Sequence, residues 1–88
     1  MRDFLRSPIL KQITLYSRTG CHLCEVAREE IERISADMKV AIAIEEITID
    51  GDPDLEREYG FMVPVIHIDG AMHGYGRVEE ARLRRALS

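Results

Sequence analysis

Tryptophan is absent from this chain of 88 residues, cysteine occurs twice, and no apolar run is longer than Val40–Ile44. Each shortage excludes something. Five apolar residues are far too few to cross a bilayer as a helix. Two cysteines three residues apart leave no second pair for a four-ligand zinc site, with His22, His67 and His73 scattered singly. A bridge between them would close almost no loop, so it would add little as a stabilising crosslink. Positive charge is not in excess: 12 Lys and Arg face 16 Asp and Glu, a net −4, which argues against a nucleic-acid partner. The first eight residues carry charges at Arg2, Asp3 and Arg6 and no apolar core, so they do not read as a signal peptide. With so few cysteines, the expected compartment is a reducing one, the cytoplasm. There is no repeat, linker or low-complexity tract. The length sets the expectation of a single domain over 1–88, with 1–10 as an N-terminal extension. A hydrophobic fraction of 45% is enough for a modest core.

What the chain does have is Cys21-His22-Leu23-Cys24. The motif follows an apolar run (Ile13, Leu15, Tyr16) and a polar turn (Ser17-Arg18-Thr19-Gly20), and it opens a helical pattern. A C-x-x-C at a helix start is the arrangement of dithiol redox sites. Amides at a helix N-terminus point toward the first sulfur, and the helix dipole favours negative charge there. Residues i and i+3 are close enough to be bridged. Cys21, at the helix edge, is therefore expected to be the exposed nucleophile, and Cys24, one turn in, the resolving thiol. Metal binding and plain core cysteines are the alternatives. Arg18 reads either as a cation beside the thiolate or as an ordinary surface arginine. His22 reads as an exposed side chain or as an imidazolium that favours the thiolate.

The remaining pattern predicts β-α-β-α-β-β-α. Gln12–Ser17 reads as a strand. Residues 22–37 read as a helix with the stripe Leu23, Ala27, Ile31, Ile34, Met38. Val40–Ile49 reads as a strand. The change of parity from Ile42 and Ile44 to Ile47 and Ile49 suggests a bulge or an early end at Glu45-Glu46. Asp52 and Pro53 open a short helix that stops at Gly60. Val63–Ile68 is a third strand, Asp69-Gly70 a hairpin turn, and Ala71–His73 a fourth strand that Gly74-Tyr75-Gly76 breaks. Residues 78–87 form the last helix, with Val78, Ala81, Ala86 and Leu87 as apolar contacts. Right-handed crossovers suit the parallel part of such a sheet, and the hairpin adds an antiparallel edge. His67 reads as a strand-face histidine. His73 and Tyr75 read as neighbours of the site, Tyr75 alternatively as packed under the last helix.

Three segments carry a resemblance that spans nearly everything from Lys11 to Leu87. They are Tyr16–Cys24, with a basic residue three places before the first cysteine, Met62-Val63-Pro64, and Asp69-Gly70 followed by Gly74-Tyr75-Gly76. On these the chain resembles the glutaredoxin-like branch of the thioredoxin superfamily. The missing tryptophan sets it apart from classical thioredoxins. The resemblance implies an α/β thioredoxin-like fold with a four-stranded mixed sheet and three helices. It implies a thiol–disulfide oxidoreductase working through a mixed disulfide. It implies a cis peptide at Pro64 and substrate pairing along the Val63 backbone, with Arg18, Gly74 and Tyr75 around the substrate. Protein disulfides or glutathione mixed disulfides are the implied substrates of a monomer with no bound cofactor, metal or membrane, and glutathione is a candidate reductant. Glutaredoxins have two adjacent glycines and then an aspartate that holds the glutathione amino group. Aligned on Gly74, these positions are Tyr75 and Val78. Glu79 could substitute for that aspartate only if the helix start shifted, so weak glutathione-dependent turnover is expected. The rival functions are an iron–sulfur or metal module that uses Cys21 across a dimer, and a thioredoxin-fold adaptor without turnover.

Overall fold

The computed structural model describes residues 10–88; the expected N-terminal extension falls almost wholly outside them. The elements are β1 (Lys11–Ser17), α1 (His22–Met38), β2 (Ile42–Thr48), α2 (Pro53–Tyr59), β3 (Val65–Ile68), β4 (Ala71–Tyr75) and α3 (Glu80–Leu87). The strand order is β2-β1-β3-β4. β1 pairs parallel with β2, while β3 is antiparallel to both β1 and β4. The expected element order and mixed sheet are both found.

The sheet separates two apolar clusters. Strand residues point alternately to opposite faces, and on one face Ile13, Leu15 and Ile66 meet Ala27, Ile31 and Ile34 of α1 and Leu83 and Leu87 of α3. On the other face Val65 and Ile49 meet Tyr59 of α2, with Tyr16, Leu55, Met62 and Val63 packed around them. This two-sided burial explains the parity change in β2 without a bulge. Ile42 and Ile44 pack toward α1, while Ile49 lies in the α2 cluster and Ile47 shares its parity. The register with β1 runs unbroken from Lys11↔Ile42 to Ser17↔Thr48, through Glu45 and Glu46. The irregularity that does occur lies between β3 and β4, at Ile66/His67.

Other boundaries move for identifiable reasons. α1 ends in a Schellman motif: Lys39 takes φ 58°, its amide donates to the Ala36 carbonyl, and the Val40 amide donates to the Ser35 carbonyl. In α2, Asp52 caps through Oδ1, which accepts the Asp54 and Leu55 amides at 3.1 Å each. Asp69 and Gly70 both have positive φ, 51° and 85°, as a type I′ hairpin turn needs. β4 does not break at Gly74; it runs through Tyr75 and ends at Gly76, φ 77°. α3 begins at Glu80 rather than 78. Its buried pair is Leu83 and Leu87, and Ala81 faces solvent.

Candidate functional site

The loop Arg18-Thr19-Gly20 turns β1 into α1. The Cys21 amide donates to the Arg18 carbonyl at 3.3 Å, and Gly20 takes φ 73°, a conformation that glycine adopts without a Cβ penalty. Cys21 is the N-cap of α1, and its Sγ accepts the Cys24 amide at 3.2 Å. Cysteine thus stands where serine or aspartate usually caps. The two cysteines are joined as a disulfide, with Cα atoms 5.2 Å apart. Cys24 is buried at 2% exposure and Cys21 is half-buried, so the outer and inner positions differ as the helix register requires. His22 is exposed, with Nδ1 3.8 Å from Glu25.

Leu23 departs from the expected stripe. It is 45% exposed, and Cys24 takes the core position instead. Leu23, Val26 and Ala27 form one wall of a groove of about 230 Å³, and Gly76, Arg77 and Val78 form the other. Val78 itself packs against the main core.

The antiparallel register brings the Pro64 segment to the same sheet edge as the cysteine loop. Tyr16 stands opposite Val65, so Pro64 and Val63 follow at the end where β1 enters Arg18. The Val63–Pro64 bond is cis. Pro64 is buried, and its carbonyl accepts the Gly76 amide at 2.8 Å. The β3–β4 ladder begins at Val65 opposite Tyr75, so Val63 lies ahead of it. Tyr75 is 59% exposed and does not pack under α3. A Cβ at Gly74 would lie 3.3 Å from the Arg82 guanidinium. That guanidinium also donates to the His73 carbonyl at 2.8 Å. Burial, and secondarily Arg82, push the His73 imidazole below its ordinary value. His67 is a strand-face residue: Tyr59 Oη lies 3.2 Å from its Nε2, and the Tyr16 ring stands edge-on to it.

Arg18 is directed at carboxylates. Its Nε is 3.4 Å from Asp50 Oδ1, and Nη2 is 4.0 Å from Glu56 Oε2. Asp50 is the residue that sequence reasoning missed. Its Oδ2 accepts the Thr19 amide at 2.9 Å. The parallel register carries the signal: the Ile49 amide donates to the Ser17 carbonyl at 2.9 Å, which sets the residue after Ile49 beside the turn after Ser17. Among the described residues, no three His, Cys, Asp or Glu side chains converge as a metal site, and no helix is long and apolar enough to cross a membrane.

Comparison with known proteins agrees with this arrangement. The chain is 33% identical over 80 residues to an uncharacterized protein of Mycobacterium bovis, an alignment covering 88% of this chain and 82% of that one. It is 30% identical over 77 residues to a thioredoxin of Methanocaldococcus jannaschii, covering 86% and 91%. The X-ray structure of a structural-genomics target protein from X. campestris superposes with a TM-score of 0.71 at 35% identity, covering 85% of this chain and 93% of that one. The family described as Glutaredoxin-like domain (DUF836) matches residues 12–88. With a C-x-x-C at the cap of α1 and a cis proline at the same edge of a β2-β1-β3-β4 sheet, the chain belongs to that glutaredoxin-like family on the thioredoxin fold.

Proposed function

We propose that this protein is a thiol–disulfide oxidoreductase. One observation carries the reading: Cys21 caps α1 with its sulfur on the Cys24 amide, and Cys24 lies buried within bridging distance. In the reduced protein the Cys21 thiolate attacks one sulfur of a substrate disulfide. A Cys21–substrate disulfide forms, and the other substrate sulfur leaves as a thiolate that takes up a proton. Cys24 then loses its proton and attacks Cys21 Sγ. The mixed disulfide breaks, the second substrate thiol departs, and Cys21–Cys24 forms. Two electrons have passed to the substrate, and an external thiol restores the dithiol.

The substrate site in this reading is the open start of β3. The Val63 backbone, ahead of the ladder, pairs with an extended substrate segment, and Pro64 shapes that edge. Gly74 leaves room on β4 for the Arg82 guanidinium, and exposed Tyr75 offers a ring. Arg18 contributes less to an anionic substrate than its position suggests, because Asp50 and Glu56 already face it. Aligned on Gly74, Val78 falls at the aspartate with which the resembled family holds the glutathione ammonium, and the next carboxylate, Glu79, sits at the cap of α3. A polypeptide disulfide is therefore the favoured substrate, and glutathione a weak reductant, for a monomer acting in the cytoplasm.

The test is a trapping experiment. Cys24→Ser should accumulate a mixed disulfide on Cys21 with a disulfide-bonded protein substrate, read by mass spectrometry, and Cys21→Ser should abolish substrate reduction. An adduct formed on Cys24 in preference would reverse the roles. Absence of any adduct with either variant would reject the activity and leave the adaptor. A coloured, iron-containing preparation that loses its colour in Cys21→Ser would favour the cluster-binding alternative.

A further inference from the structure

Asp50 lies outside the C-x-x-C segment and outside every motif of the resemblance, yet it makes two connections to the loop that carries Cys21. The first is the hydrogen bond from the Thr19 amide to Oδ2, at 2.9 Å. The second is the 3.4 Å approach of the Arg18 Nε to Oδ1. That nitrogen is buried, and among the described residues it has no partner in hydrogen-bond geometry, so Asp50 meets it through charge. Glu56 supports the arrangement from α2: its Oε2 accepts the Gly51 amide at 3.2 Å and lies 4.0 Å from Arg18 Nη2. Gly60, at the end of α2, closes the far side, since a Cβ there would lie 3.9 Å from that same guanidinium nitrogen and would collide with the Glu56 carbonyl.

We propose that Asp50 is a positioning residue for the redox step: it ties the β1–α1 loop to the β2–α2 turn and retains the Arg18 guanidinium on the carboxylate side of that loop. The inference rests on the reading of Cys21 as the nucleophile. The Asp50 carboxyl is held below the usual carboxylate range, first by the Thr19 amide, with the Thr19 side chain and Arg18 adding to it. It therefore carries its charge at neutral pH. Arg18 and Cys21 are three residues apart across a turn, within the span of an arginine side chain. While Asp50 and Glu56 hold the cation, its charge is largely cancelled. The sulfur then depends on the Cys24 amide and the helix for its acidity. The other charges around the loop are His22 and Glu25, which face each other on α1, Asp52 and Asp54 at the start of α2, and Arg77 before α3. None of them touches the Thr19 amide or Arg18 in the way Asp50 does.

The experiment is a double-mutant cycle on the thiolate titration of Cys21, in full-length protein carrying Cys24→Ser. Asp50→Asn keeps an oxygen for the Thr19 amide and removes the charge. It should lower the Cys21 pKa by about half a unit to one unit, a roughly three- to tenfold gain in the thiolate-to-thiol ratio, as an approaching cation does. Arg18→Ala should shift the ratio by less than about twofold while Asp50 is present, and should reverse most of the gain in the Asp50→Asn background. A purely structural role for Asp50 would give no such coupling, and a loosened cap would raise the pKa instead. An unchanged or raised value in Asp50→Asn overturns the proposal, and so does an equal Arg18→Ala shift in both backgrounds. Should Asp50→Asn fail to fold, Arg18→Ala alone remains decisive: a rise of a full unit would show that the cation already serves the sulfur, against the proposal. Adduct formation by Cys21 with a disulfide reagent is measured alongside. A reactive Cys21 without coupling removes the role of Asp50 and leaves the redox reading intact.

Discussion

The acidity of Cys21 is the quantity on which the chemistry turns, and the geometry fixes its direction. Removing Cys24 as Cys24→Ser leaves Cys21 free to titrate at the cap of a helix of 17 residues. Its sulfur accepts the residue-24 amide at 3.2 Å. A hydrogen bond to an ionised acceptor contributes about 1 to 1.5 kcal/mol more than one to a neutral acceptor. The dipole adds about 0.3 to 1 kcal/mol for an anion in the first turn, and more where solvent is partly excluded. Glu25 in the first turn and Asp50 across the loop work against this. At about 1.4 kcal/mol per factor of ten, the balance lowers the thiol below its ordinary value and favours the thiolate by roughly tenfold to thirtyfold over a free cysteine. The thiolate fraction at neutral pH then rises from a few per cent toward roughly half. Thiolate ultraviolet absorbance, followed as a function of pH and corrected with Cys21→Ser/Cys24→Ser, measures it. A midpoint at or above that of a free cysteine would refute the claim that the cap activates the sulfur.

Three further outcomes follow from the same structure. The His73 ring should titrate below 6.5 by NMR, and Arg82→Ala should bring it only part of the way back, because burial is the larger cause. Since the folded value is the lower one, His73 contributes stability that is complete above about 6.5 and is lost as pH falls through the folded value; a midpoint at or above 6.5 would contradict the placement of that ring. Leu83→Ala should cost about 2 to 5 kcal/mol in denaturant unfolding, because Leu83 is wholly buried between α3 and the main core, whereas Ala81→Ser on the exposed face should change stability by less than about 0.5 kcal/mol. Val78→Asp should raise glutathione-dependent turnover several-fold and lower the melting temperature, because Val78 packs on the main core; no gain in a folded variant would show that another group decides glutathione use.

The elements were legible because their signals are local. Cys21 at the start of an amphipathic run, Asp52-Pro53, and Asp69-Gly70 each act within a few residues, and each sits in the structure where its chemistry places it. What was not legible depends on long-range contact. Leu23 and Cys24 both fall near the apolar stripe of α1, and the wheel alone cannot choose between them; the core takes Cys24 and leaves Leu23 on a groove. In the last helix, a start at Val78 makes Ala81 a contact. With the start at Glu80, the i, i+4 pair Leu83 and Leu87 turns inward. The change of parity across Glu45-Glu46 marks neither a bulge nor an early end; helices cover both faces of the sheet, and only that long-range packing explains it.

Asp50 shows the same limit at the site itself. Nothing in Ile49-Asp50-Gly51 distinguishes one acidic turn residue from its neighbours. Its role follows from the direction of strands. β1 and β2 are parallel, so their C-terminal ends share one edge of the sheet and deliver Arg18–Cys21 and Ile49–Asp52 side by side. β3 runs the other way, so it is its beginning, Val63-Pro64, that arrives at that edge. Three segments separated by some thirty and then fourteen residues are thereby brought to one rim, while the Asp69-Gly70 turn closes the opposite end, where Asp69 exchanges bonds with Gln12 at the start of β1. Carboxyl ends of parallel strands are the usual location of sites in α/β sheets for this reason. In this chain the same rule sets the acidic turn after β2 beside the loop that carries Cys21. The two turns leave the C-terminal ends of adjacent parallel strands, and the sheet brings them together at that rim.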